Sequence, residues 1–124
     1  MSAALNINGI PALPVSTAKL EHLFGRRVWK VYHEPFEWMG IIVPVGFETD
    51  LASVPRILLS LFPSDGKYLE ACIIHDYVYT HLTRLYSKKQ ADEMLRKGAI
   101  ALGLAPWKAR IMWAGVRIGG RGNW

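Results

Sequence analysis

The hydrophobic period of this chain changes near its middle, and that change limits the folds open to it. In the first part, Arg27-Val28-Trp29-Lys30-Val31-Tyr32-His33 alternates with period two, and Phe36 to Val43 does so more loosely. Gly9, Pro11, Pro14, Gly25, Pro35, Gly40 and Pro44 interrupt these runs. Short alternating runs between Gly and Pro read as strands joined by turns. Such short connections cannot carry the crossovers that parallel strands need, so the sheet is expected to be antiparallel.

The second part has helical spacing. Ser53 and Pro55 can start a short helix that ends at Pro63-Ser64-Asp65-Gly66. A longer helix is expected from about Lys67 to Leu82. Ser87, with Gln90 three residues on, has the form of a capping box for the next helix, which carries Ala91, Met94, Leu95, Ala99 and Leu102 and stops near Gly103. Pro106 suits the first turn of a last helix running to about Ile118. The expected class is α+β, with a small N-terminal antiparallel β-sheet followed by a C-terminal bundle of three to four helices. With 124 residues, one domain over 1–124 is expected. Its sheet-rich part is about 14–50, its helical part about 53–118, and 119–124 forms a flexible tail.

Hydrophobic residues make up 51% of the chain and charged ones 20%, a globular balance. No apolar run reaches membrane-spanning length, and the first residues lack the pattern of a secretory signal. Synthesis in the cytoplasm is the default expectation. The single cysteine, Cys72, excludes an internal disulfide and reads as a small core residue. The net charge of +5 favours phosphate-rich partners. Its cations are dispersed, however, and Lys88, Lys89, Lys108, Arg110 and Arg117 read as a solvated surface. Anionic lipid stays open as a partner, and nucleic acid is not expected.

The chemistry concentrates in Ala71-Cys72-Ile73-Ile74-His75-Asp76-Tyr77-Val78-Tyr79 and in Gln90-Ala91-Asp92. Polar groups among Ile, Ala and Val must find partners or do chemistry. His75 and Tyr79, four apart, share a helix face, while Asp76 is rotated about 100° from His75. A histidine acting as a general base needs an orienting carboxylate on its far nitrogen. Asp92 on the next helix of an antiparallel pair can supply it, with Tyr79 donating to the same carboxylate. Asp76 can then bind a hard cation through oxygen. A buried His–Asp–Tyr network can equally well lock two helices together. A second cluster, Gly46 to Arg56, joins sheet to helices. Thr49, Asp50 and Ser53 there suit turn and cap chemistry. In a functional reading Asp50 adds a metal carboxylate, and Thr49 and Arg56 hold substrate.

Val43-Pro44-Val45-Gly46-Phe47-Glu48-Thr49-Asp50-Leu51-Ala52-Ser53-Val54-Pro55-Arg56, then His75-Asp76-Tyr77-Val78-Tyr79, then Ala91-Asp92, resembles a family of small phage and prophage proteins known only as a domain of unknown function. The resemblance implies a phage or prophage origin, and with it association with a virion. The pattern His75-Asp76, Tyr79 and Ala91-Asp92 is also locally similar to phospholipase A2 enzymes. That likeness implies that His75 activates water, that Asp76 binds calcium, and that Tyr79 and Asp92 orient His75. The segment before the helix, Leu61 to Lys67, has one glycine in place of those enzymes' glycine-rich calcium loop, which leaves Asp50 to stand in. Two functions follow as expectations. One is a calcium-dependent ester hydrolase acting at the bacterial envelope. The other is a non-catalytic virion, tail or baseplate component that joins other phage structural proteins and uses the cluster as a fold lock.

Overall fold

A computed structural model of the chain describes residues 10–14, 20–22, 29–49 and 68–120. Strands come first and helices after: β1 (Leu20–His22), β2 (Trp29–Val31), β3 (Phe36–Trp38), β4 (Ile41–Val43), β5 (Glu48–Thr49), α1 (Leu69–His81), α2 (Lys88–Ala101) and α3 (Pro106–Gly119). The class is α+β, with every described strand pair antiparallel. The expected short helix from Ser53 lies outside the described residues.

The alternating run at Phe36 is a hairpin rather than one strand. Phe36 pairs with Val43 and Trp38 with Ile41, around a turn in which Met39 and Gly40 both have positive φ. Two left-handed residues give a turn whose twist matches the flanking strands, and glycine takes that conformation without a Cβ penalty. Phe36, Trp38, Ile41 and Val43 point into the core, while Glu37 and Ile42 face out. β2 lies between β1 and β5, so that Trp29 stands opposite Thr49.

α1 is buried on nearly every side, through Ala71, Cys72, Ile73, Ile74, His75, Asp76, Val78 and Tyr79. A helix without a solvated face belongs in the middle of a core, and any polar group on it needs an internal partner. α2 buries one stripe, Ala91, Asp92, Leu95, Gly98 and Ala99. Its start is fixed by reciprocal bonds: Gln90 N–H donates to Ser87 Oγ at 3.1 Å, and Ser87 N–H donates to Gln90 Oε1 at 2.8 Å. α3 begins at Pro106 and buries Ala109, Met112 and Val116. Short connections make α1/α2 and α2/α3 antiparallel neighbours. Ala71 accordingly approaches Gly98 at one end of the first pair, and Tyr79 reaches Asp92 at the other. No helix among the described residues is long and apolar enough to cross a membrane.

Candidate functional site

The site grows from the antiparallel packing of α1 on α2. His75 and Tyr79 lie one turn apart on α1, their tilted rings 4.1 Å apart between centroids. Asp92 sits one turn into α2, opposite them. Its Oδ1 accepts from His75 Nε2 at 2.8 Å and from the Tyr79 hydroxyl. Its Oδ2 accepts from Lys88 Nζ and from Arg117 Nη1, each at 3.1 Å. Lys88 Nζ also donates to the carbonyls of Val116 at 2.7 Å and Arg117 at 3.2 Å, in the last turn of α3. One carboxylate with no exposed surface therefore gathers donors from all three helices.

Lys88 and Arg117 thus belong to the site rather than to a solvated surface. The Lys88 spacing was available in the sequence, because a lysine four residues before an aspartate shares its helix face. Nothing in the sequence pointed from Arg117 to Asp92, since that contact depends on how α3 packs.

Electrostatics fix the proton positions. Burial pushes the Asp92 carboxyl up, but hydrogen bonds from His75, Tyr79 and Lys88 outweigh it and hold the group below the usual carboxylate range. Burial pulls the His75 imidazole below its ordinary value despite the adjoining carboxylate. Asp92 and Asp76 favour the charged ring and Lys88 opposes it, but burial is the larger effect. An ionised carboxylate has no proton to give, so Nε2 of the neutral ring must be the donor. Nδ1 then carries the lone pair and is the basic nitrogen. Burial, reinforced by the Asp92 bond, pushes the Tyr79 phenol up, and it stays a donor. Burial likewise pushes the Cys72 thiol up, in keeping with an inert core residue.

Asp76 faces the sheet. Its Oδ2 accepts from Thr49 Oγ1 at 2.5 Å, and both residues are buried. This bond joins β5 to α1. Asp76 and His75 therefore point to different partners, as a rotation of about 100° requires. Asp50 and Arg56 lie outside the described residues. Among the described residues no three His, Cys, Asp or Glu side chains gather as a metal site. Calcium takes six to eight oxygens, so Asp76 and its described neighbours do not by themselves fit it.

Residues 29–116 match the model of the family described as protein of unknown function (DUF1353), and the chain belongs to that family. The matched stretch holds Thr49, His75, Asp76, Tyr79, Lys88 and Asp92. The chain is similar to Uncharacterized protein y4jT of Sinorhizobium fredii (strain NBRC 101917 / NGR234), with 35% identity over 80 residues. Those residues are 62% of this chain and 23% of that protein, so the chain spans about a quarter of that relative. No solved structure matches the chain.

Proposed function

We propose that the protein is a phage-encoded ester hydrolase acting on phospholipid at the bacterial envelope, with His75 as general base. The observation that carries this reading is the Asp92–His75 pair, in which the carboxylate holds the ring through Nε2. In the reaction, Nδ1 takes a proton from water as the water oxygen bonds to the ester carbonyl carbon. The imidazolium formed is held by Asp92 through Nε2–H. The same proton then passes to the leaving alkoxide as its C–O bond breaks. Tyr79, Lys88 and Arg117 act through Asp92 and are positioning residues. In this reading Thr49 and Arg56 contact substrate, and calcium enters through Asp76 together with Asp50.

Fatty-acid release from phosphatidylglycerol vesicles tests the proposal, measured with and without calcium. His75→Ala is expected to lower turnover by about 10²–10⁴-fold. No release by the wild-type protein in either condition would sink the reading. Calorimetric titration of calcium, with Asp76→Asn as control, tests the metal separately.

A second reading is favoured by the complete burial of His75 and Asp92. Here the protein is a non-catalytic virion, tail or baseplate component, and the network serves to lock the helices. Mass spectrometry of purified particles tests this one, and absence of the chain from them would refute it.

A further inference from the structure

α3 carries two opposed apolar faces. Ala109, Met112 and Val116 pack inward. Trp107, Ile111 and Ile118 lie on the other side within about 40° of one another, along about 16 Å of helix. They are 64%, 45% and 89% exposed. Lys108 flanks this stripe on one side, with Arg110 and Arg117 on the other. The helix contains no acidic residue. Beside Arg110 a cavity of about 300 Å³ opens, lined by Glu93, Arg96, Arg110 and Trp113. Arg96 neutralises Glu93 through two bonds of 2.9 and 3.1 Å. Arg110 has no ion-pair partner among the described residues, which leaves the cavity net positive. The buried indole N–H of Trp113 has no hydrogen-bond partner either.

We infer that this face of α3 docks on an anionic lipid surface: Trp107, Ile111 and Ile118 sink among the acyl chains, and Arg110 with Arg96 receives a lipid phosphate. An exposed aliphatic stripe flanked by cations has the chemistry of an interfacial helix, whose long basic side chains reach up to the headgroups. Charge decides against a second copy as the occupant. Two such faces brought together would oppose Lys108 and Arg110 of each chain with no carboxylate on α3 between them. A nucleic acid would satisfy the cations but leaves Ile111 and Ile118 without an apolar partner. The inference shares the envelope with the proposed hydrolase but does not need hydrolysis.

The test is co-sedimentation of the full chain carrying His75→Ala with two kinds of vesicle, phosphatidylcholine alone and phosphatidylcholine mixed with phosphatidylglycerol. Using that variant separates docking from any turnover. Binding is expected only to the phosphatidylglycerol vesicles, weakening as salt rises. Ile111→Ser with Ile118→Ser should reduce binding by about tenfold or more. Arg110→Glu should do the same, with the far-ultraviolet circular dichroism unchanged in both variants. Failure to bind at low salt overturns the inference. So does binding that the serine variants leave intact, a wild-type dimer in sedimentation equilibrium that Ile118→Ser dissociates, or retention of DNA that survives the serine substitutions.

Discussion

Two buried aspartates, Asp92 seventeen positions from His75 and Asp76 next to it in sequence, are held in different ways. Asp92 collects four side-chain donors, two of them cationic, from three helices. Asp76 accepts from a neutral hydroxyl on a strand, that of Thr49. Opposite charges close to a buried carboxylate offset its desolvation and fix it as an anion. The Asp92 node thus holds the helices in register and sets the His75 tautomer, while the Asp76 bond joins helix to sheet.

Breaking the stronger node should cost most. Asp92→Ala leaves Lys88 and Arg117 facing each other, and Tyr79 and His75 without their acceptor. A loss of about 3–5 kcal/mol is expected, the usual cost of removing one partner of a buried ion pair. It is measured by urea denaturation followed by circular dichroism. A loss under about 1 kcal/mol would mean that the node contributes little to stability. Thr49→Val keeps shape and removes one donor from Asp76. It should cost about 2 kcal/mol, the scale of a hydrogen bond to a buried charged acceptor. If Thr49→Val proves as damaging as Asp92→Ala, the contrast between the two aspartates fails.

The helical half was legible because each boundary carries its own local chemistry. Ser87 with Gln90 and Pro106 mark helix starts whatever packs around them, and four-residue spacing puts His75 and Tyr79 on one face. The pairing of both with Asp92 follows once α1 and α2 are antiparallel. The hairpin was harder to see, because Met39 is an unusual residue for a left-handed turn position and left Phe36–Val43 looking like one loose run. Arg117 and Thr49 were out of reach for a different reason. Their contacts span 25 and 27 residues, and no local rule relates them to Asp92 and Asp76. The outward stripe on α3 has the period of a core face, and exposure alone tells the two apart.

The smallest effect tests the proton assignment itself. His75 is held neutral when folded, with its pKa below the ordinary value near 6.5. As pH falls below about 6.5 the unfolded chain binds a proton that the folded chain does not. Folding stability should therefore fall, by up to about 1.4 kcal/mol per pH unit, until the lowered folded pKa is reached. Asp92 acts in a separate window. Its folded pKa is also lowered, so its contribution is complete above about 4 and is lost on further acidification. His75→Gln retains an amide N–H that can donate to Asp92 and does not titrate. Urea midpoints between about pH 7 and 5 should thus slope less in the variant than in the wild type, while the loss below about pH 4 stays. Were the two slopes equal, the folded chain would take up a proton at His75 as readily as the unfolded chain, and burial would not be what keeps the ring neutral.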